Sequence, residues 1–131
     1  MRTTGTDPRL VFVYGTLLAG ERNHHVLGGS RLVRAARTPA AFELRDLGHF
    51  PGLLRGGTQA VEGEVYDVTA RVLADLDRLE DHPTFYHREH IILDDGGVVW
   101  SYVLTPDKVA GCPVIDSGNW RHRNRPRKDL P

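Results

Sequence analysis

Glu80 is the residue whose position in the sequence most suggests chemistry. In the segment TARVLADLDRLED it follows Leu73 by seven positions and Leu76 by four, so on an α-helix the three side chains share one face. An unpaired carboxylate on an apolar face is costly, and burial raises its pKa. At the mouth of a cavity such a group is suited to general acid–base catalysis. If the helix instead frays before Pro83, the side chain lies in water and has no such role.

The neighbouring acids need no comparable explanation. Asp75, Asp77 and Asp81 are expected to point away from the apolar face.

A second candidate is the stretch VFVYGTLL, residues 11–18, where an apolar run is interrupted by Tyr14, Gly15 and Thr16. If the chain leaves its strand between Tyr14 and Leu17, successive backbone N–H groups lose their ladder partners. Glycine would let these groups turn to one side and bind an anion, such as a carboxylate or the oxyanion of a tetrahedral intermediate. An ordinary strand-to-turn transition explains Gly15 equally well.

Metal and thiol chemistry have weaker support. The seven histidines include the adjacent pair His24 and His25, which diverge on a helix or a strand, and the stretch HREH at 87–90. No H-E-x-x-H motif and no paired cysteines are present, so we expect no metal site. Cys112, in AGCPVID, has no obvious base beside it and is not expected to be a nucleophile.

The elements that would position Glu80 are the most regular part of the chain. Thr69 is a good N-cap for a helix that Pro83 would stop. The preceding stretch AVEGEVYDVT alternates like a strand, and the glycine inside it, Gly63, indicates a bulge or a close backbone approach. After the helix, Ile91–Ile92 and 98–103 form the arms of a hairpin around DDGG.

The N-terminal half predicts further strands. The first spans 9–15, and a short helical or turn segment then closes at Gly28 and Gly29. Three further strands follow, two in RLVRAARTPAAFELRDLG and one in HFPGLLRGG. The candidate inward-facing residues of the first two are Leu32, Phe42 and Leu44. Strands outnumber helices and most connections suggest antiparallel pairing. We therefore predict an α+β fold around a closed or strongly curved sheet.

Composition limits the partners. The 131 residues, with 17 basic and 17 acidic side chains, predict one domain over 1–120 without a general attraction to nucleic acid or membranes. The basic end, 121–131, is expected to be a flexible tail rather than a nucleic-acid arm. The single cysteine fits a reducing compartment, and no apolar run approaches the length of a membrane span, so a cytoplasmic location is expected. We expect a monomer or a weak homodimer.

Several motifs carry a family resemblance. VYGTLLAGERNHHVL resembles the opening signature of the γ-glutamylcyclotransferase-like (AIG2-like) family, in which Y-G-[ST]-L precedes a glycine and an asparagine, here Gly20 and Asn23. EGEVYDV is similar to the family's mid-chain strand. LADLDRLEDHPTFYHRE resembles its catalytic segment, which is matched by Asp77, Glu80, Tyr86 and Arg88. WSYVL and SGNW match the last strand and closing segment, although Asn119 stands where an aspartate is expected. The resemblance covers residues 9–121.

This resemblance implies a small, mixed, mostly antiparallel β-barrel flanked by short helices, with a pocket at its mouth. It implies a cofactor-independent reaction in which the γ-glutamyl group of a small-molecule amide cyclises to 5-oxoproline and expels its amine. Glu80 would be the acid–base residue, and Tyr86 would line the pocket. The substrate-binding loop would be formed by Tyr14, Gly15, Thr16 and Leu17. Arg88 would support the fold.

Two alternatives remain open from the sequence. A binding module with the same pocket would keep the fold without the reaction, and a metal-dependent hydrolase is the weaker rival. The leaving amine also stays open. Glutathione, a γ-glutamyl-ε-lysine isopeptide, a simple γ-glutamyl amine and a γ-glutamyl-protected intermediate share one head group, and the short chain favours γ-glutamylamines.

Overall fold

The computed structural model describes residues 9–123, which contain seven β-strands, one α-helix and three short 3-10 turns. The turns span His24–Leu27, Pro106–Val109 and Trp120–His122. The longer elements are β1 (Leu10–Val13), β2 (Arg31–Arg37), β3 (Phe42–Asp46), β4 (Pro51–Arg55), β5 (Glu62–Asp67), α1 (Ala70–Leu79), β6 (His87–Ile92) and β7 (Val98–Val103). The strands form one mixed, mostly antiparallel sheet. The predicted α+β class is confirmed.

The sheet branches at β7. The antiparallel β6 pairs with β7 from His87↔Val103 to Ile92↔Val98 and so occupies one whole edge of that strand. The other edge is shared by two parallel neighbours: β1 pairs at Val11↔Trp100 and β4 at Leu53↔Val103. One arm continues from β1 to β5 and β2, and the other from β4 to β3. Both arms supply the hydrophobic core, which includes Phe12, Leu44, Leu53, Val65 and, from the helix, Leu76.

Tyr14 occupies the place where the two arms separate. The first strand was predicted to reach residue 15, but β1 ends at Val13. The Tyr14 hydroxyl then donates a 2.6 Å hydrogen bond to the Tyr102 carbonyl of β7 and accepts one of 3.3 Å from the Leu53 N–H of β4. A side chain thus replaces ladder bonds at the branch, and the backbone from Tyr14 onward is free to leave the sheet.

The helix α1 begins as predicted and ends earlier. Thr69 caps it by accepting a hydrogen bond from the Val72 N–H, and Leu76 is fully buried. The helix ends at Leu79, four positions before Pro83, and the Glu80 N–H makes the final helical bond to the Leu76 carbonyl. Asp81 then adopts a left-handed conformation (φ 54°). Glu80 is therefore the residue that closes the helix, not one inside it.

Other predictions about the strands have mixed outcomes. The β6–β7 hairpin around DDGG forms, and Phe42 and Leu44 are buried. Leu32, expected to point inward, is 50% exposed, because the pairing of β2 with β5 shifts register between Leu32 and Arg34 and changes which side chains face the core. Gly63 is a close approach: a Cβ there would collide with the Val13 carbonyl oxygen and the Phe12 ring.

The C-terminal boundary also differs from the prediction. Arg121, assigned to the flexible tail, lies in the last 3-10 turn and bonds to the rest of the fold. Residues 124–131 of the predicted tail lie outside the described residues. No helix within 9–123 combines the length and the apolar character needed to cross a bilayer.

Candidate active site

Glu80 and the loop after β1 line the same cavity. All six predicted site residues lie around it: Tyr14, Gly15, Thr16, Leu17, Glu80 and Tyr86. The inner cavity measures about 30 Å³ and adjoins an outer cleft of about 450 Å³, with which it shares Thr16, Phe50, Glu80 and Tyr86. The inner part has room for about two water molecules. A larger ligand placed there therefore extends into the cleft.

The carboxyl group of Glu80 has no partner among the described residues. It is partly buried, and neither a hydrogen bond nor an ion pair joins its side chain to another residue of 9–123. Burial raises the pKa of this carboxyl to about 7. A group that titrates near neutral pH can both accept and return a proton during a reaction. An unpaired acid that faces a cavity is also available to a ligand.

The loop that faces Glu80 presents free backbone donors. The N–H groups of Gly15, Thr16 and Leu17 donate no hydrogen bond to any residue that the structure describes. The loop itself is held in place: the Leu18 N–H donates to the Gly15 carbonyl, and the Asn23 N–H donates to the Thr16 carbonyl. The Asn23 side-chain amide also donates to the Thr16 hydroxyl at 3.0 Å. Successive free N–H groups in a fixed loop are suited to an anionic oxygen.

Gly15 is required for a reason that the sequence did not indicate. Its φ is not positive, so it does not supply the left-handed conformation that favours glycine. A Cβ at this position would instead lie 2.5 Å from Cγ and 2.7 Å from Cδ of Pro51. The absence of a side chain lets the loop pack directly against the first residue of β4.

Three tyrosine hydroxyls at the cavity donate to protein acceptors rather than into the open space. Tyr14 donates to the Tyr102 carbonyl, Tyr86 to the Pro51 carbonyl at 2.6 Å, and Tyr102 to the Asp77 carboxylate at 2.7 Å. Burial is the largest cause that raises the pKa of each phenol. They stay neutral near pH 7. Of the described residues that line the inner cavity, Glu80 is the one that titrates in this range.

Asp77 was predicted to point away from the apolar face of the helix, but its side chain contacts Tyr102 at the cavity. Its carboxylate accepts hydrogen bonds from Arg88 Nε at 2.8 Å and Nη2 at 3.2 Å and from the Tyr102 hydroxyl. Burial alone raises the pKa of Asp77, but the bonds from Arg88 and Tyr102 outweigh it and lower that pKa. The Arg88 guanidinium also lies 4.3 Å from the centre of the Trp100 ring. Asp77 therefore joins the end of α1 to β6 and β7.

Sequence reasoning placed Asp77 in the family motif without its contact to Tyr102, and it gave no individual role to Tyr102, Phe50 or Pro51, which line the inner cavity. The spacing of three between Asp77 and Glu80 was an available signal, since residues three apart on a helix are neighbours. Nothing in the local sequence connects Phe50 or Pro51 with the loop after β1, because that contact exists only between the two arms of the sheet.

The histidines and Cys112 line neither the inner cavity nor the outer cleft. Within residues 9–123 no group of three or more His, Cys, Asp or Glu side chains is placed to hold a metal ion. His90 of the HREH stretch stacks on Trp100, with ring centroids 3.6 Å apart. His24 Nδ1 is bonded to the Leu17 carbonyl at 2.9 Å, so it donates and helps to hold the loop.

The chain is similar in sequence and in fold to several known proteins. Residues 11–122 match the family described as "Gamma-glutamyl cyclotransferase, AIG2-like". A Vibrio cholerae protein, provisionally named a gamma-glutamylcyclotransferase, is 45% identical over 114 residues, which cover 87% of this chain and 96% of that protein. A zebrafish (Danio rerio) protein named gamma-glutamylaminecyclotransferase A is 39% identical over 92 residues, 63% of this chain and 57% of that one. The crystal structure of c4763, a uropathogenic E. coli-specific protein, has a TM-score of 0.79 at 26% identity and covers 91% of this chain and 97% of its own.

Proposed function

This chain belongs to the AIG2-like gamma-glutamyl cyclotransferase family, and we propose that it converts γ-glutamylamines into 5-oxoproline and a free amine, with Glu80 as the general acid and base. The observation that carries the proposal is the placement of two groups around one cavity. They are the unpaired carboxyl of Glu80 and the free N–H groups of residues 15–17. The name of the zebrafish relative supports the choice of γ-glutamylamines.

The reaction requires an internal transfer of protons. The α-nitrogen of the substrate attacks its own γ-carbonyl carbon, a C–N bond closes the five-membered ring, and the amide C–N bond to the leaving amine breaks. The α-ammonium gives up two protons in the process, and the leaving nitrogen gains two. No proton is consumed or released overall, and no other reactant is needed. One carboxyl group can carry both protons in turn if it reaches both nitrogen atoms.

Glu80 has suitable properties for this task. A free α-amine has a pKa of about 8 and enters mostly protonated, so it must lose a proton before it can attack. A carboxylate with a pKa of about 7 accepts that proton far more readily than an exposed glutamate does. The protonated form is then acidic enough to return the proton to the departing nitrogen. The pocket would also hold the glutamyl chain in a folded conformation, which supplies a further factor in rate.

The loop would bind the negative oxygens of the substrate. The N–H groups of Gly15, Thr16 and Leu17 are oriented by a turn that Asn23 holds closed. They suit the α-carboxylate of the glutamyl group or the oxyanion that forms on its γ-carbonyl. The outer cleft would receive the leaving amine between Phe50, Phe85 and Leu79. This division assigns head-group recognition to the inner cavity and choice of amine to the cleft.

The test is turnover of a panel of γ-glutamyl amides by the full chain, with 5-oxoproline measured by mass spectrometry. The panel contains a γ-glutamyl alkylamine, γ-glutamyl-ε-lysine and glutathione. We expect turnover by the natural protein and a loss of roughly 100-fold to 10,000-fold in Glu80→Gln. Glu89→Gln is the matched control, because Glu89 forms an exposed pair with Arg55 on the surface and should retain full activity.

Two results would contradict the proposal. Equal turnover by Glu80→Gln and the natural protein would remove Glu80 from the chemistry. Binding of the panel without 5-oxoproline, with the same affinity in both proteins, would identify a binding module instead.

A further inference from the structure

The backbone N–H and carbonyl groups of Ala19 are both held by side chains distant in sequence. Its N–H donates to Oε1 of Glu64 at 3.0 Å, and its carbonyl accepts from Nη2 of Arg121 at 2.6 Å. The same Arg121 nitrogen lies 3.3 Å from Oε2 of Glu64. Ala19, Glu64 and Arg121 therefore form a closed ring of interactions. Ala19 is two residues beyond Leu17, the last residue of the loop that lines the cavity.

Glu64 is well suited to hold this position. It lies in β5, antiparallel to β1, with Val13↔Glu64 as the register pair at the point where β1 ends. Its carboxylate accepts a third hydrogen bond, from the Tyr66 hydroxyl at 3.0 Å. Burial alone raises the pKa of Glu64, but the bonds from the Ala19 N–H, Tyr66 and Arg121 lower it. Glu64 is therefore ionised near neutral pH, and its side chain is only 15% exposed.

Arg121 is held in turn by the C-terminal 3-10 turn. The Asn119 side chain caps this turn by accepting from the Arg121 N–H, and its amide donates to Glu62 at 3.2 Å. Trp120 is almost fully buried, and its ring N–H donates to the Glu21 carboxylate at 3.2 Å. The C-terminal turn thus contacts the loop after β1 at two places, Ala19 and Glu21.

We propose that Glu64 and Arg121 are positioning residues, which hold the segment 18–23 so that the N–H groups of residues 15–17 keep their orientation toward the cavity. The proposal rests on the proposed function for its catalytic consequence, but its structural part stands on this geometry alone. Neither residue lines the inner cavity or the outer cleft. Both act through Ala19. Loss of Glu64 frees the Ala19 N–H, loss of Arg121 frees the Ala19 carbonyl, and either loss leaves the other charged residue without its partner.

The experiment combines hydrogen exchange with kinetics. The reporters are three amides with hydrogen bonds inside the loop: Leu18, Glu21 and Asn23. We expect these amides to exchange at least tenfold faster in Glu64→Ala and in Arg121→Met than in the natural chain. We also expect kcat/KM for a γ-glutamylamine to fall tenfold or more in each variant. The midpoint of the acid limb of the pH profile should not move, because it belongs to Glu80.

A conservative replacement and a matched pair complete the design. Arg121→Lys keeps a cation that can reach one of the two acceptors, so its exchange and kinetics should lie closer to the natural protein than those of Arg121→Met. Asp95→Ala removes another carboxylate–arginine pair, with Arg34, at the remote β6–β7 turn. That control should leave the loop amides and kcat/KM unchanged.

The outcomes separate this proposal from the proposed function. Exchange and kinetics in Glu64→Ala and Arg121→Met that match those of Asp95→Ala would overturn it. Faster exchange with unchanged kcat/KM would also overturn the proposal, since the contacts of Glu64 and Arg121 with Ala19 would then be structural only. If the natural protein forms no 5-oxoproline from any amide, the function is wrong. The exchange rates of the three reporters then decide alone whether Glu64 and Arg121 hold the loop.

Discussion

The hydroxyl group of Tyr102 donates a 2.7 Å hydrogen bond to the carboxylate of Asp77, which lies three residues before Glu80. This bond joins β7 to the end of α1 at the wall of the cavity. Arg88 reinforces it by donating to both oxygens of the same carboxylate. The position of Glu80 therefore depends on a contact between α1 and β7. A substitution can alter that contact without changing Glu80 itself.

Replacement of Asp77 by Asn should weaken the fold and the activity together. The amide oxygen can still accept from Tyr102, but the charge that pairs with Arg88 is lost. Hydrogen bonds to charged groups contribute roughly 1.5–3 kcal/mol, so we expect a loss of about 2 kcal/mol in the free energy of unfolding. Urea denaturation measures it. Activity should fall less than in Glu80→Gln, and a loss equal to that of Glu80→Gln would assign Asp77 a direct part in the reaction.

The pH dependence of activity should report the ionisation of Glu80. Since burial raises its pKa to about 7, the basic form is scarce below that pH. We expect kcat/KM to rise about tenfold per pH unit below pH 7 and to fall again above about pH 8, where the substrate loses the α-ammonium proton that the leaving nitrogen requires. A pH-rate series on one γ-glutamylamine tests this expectation. An acid limb with its midpoint near pH 4.5 would show that Glu80 is not shielded from water.

The same shift predicts a pH-dependent gain in stability from Glu80→Gln. The folded state binds this proton more tightly than the unfolded state does, so Glu80 lowers the free energy of unfolding as pH rises from about 4.5 to about 7. Glutamine carries no such penalty. The variant should exceed the natural protein by about 1–3 kcal/mol at pH 8 and by nearly nothing at pH 4. Denaturant melts at both values test the sign, and a variant that is less stable at pH 8 would contradict it.

The contact between Gly15 and Pro51 allows a test by compensation. In Gly15→Ala the new methyl group would meet Cγ and Cδ of Pro51, and overpacking of this kind costs about 1–3 kcal/mol. Activity should also fall, because the loop must move away from β4. Pro51→Ala removes those two carbon atoms, so the double variant should recover part of the loss. Thermal melts of the four proteins give the coupling energy. If the losses of stability in the two single variants simply add in the double variant, the new methyl group and Pro51 do not clash.

Local patterns were sufficient for most of the fold. Alternation and turn residues predicted the β6–β7 hairpin, and the cap at Thr69 with the following apolar spacing predicted the start of α1. Both depend on interactions between residues close in sequence. Leu32 was misplaced because the register shift in β2 depends on its pairing with β5, a contact between distant segments.

The residues of the candidate site divide in the same way. The sequence by itself determined the identities: an acid at a helical position next to leucines, a tyrosine–glycine–threonine break after a strand, and the family motif that contains both. Only the tertiary structure decided that Glu80 is unpaired and partly buried. It also decided three contacts between residues distant in sequence: Asp77 with Tyr102, Gly15 with Pro51, and Arg121 with Ala19. The physical reason is that burial and pairing of a side chain depend on which distant segments pack together, and the spacing of residues along the chain does not specify those contacts.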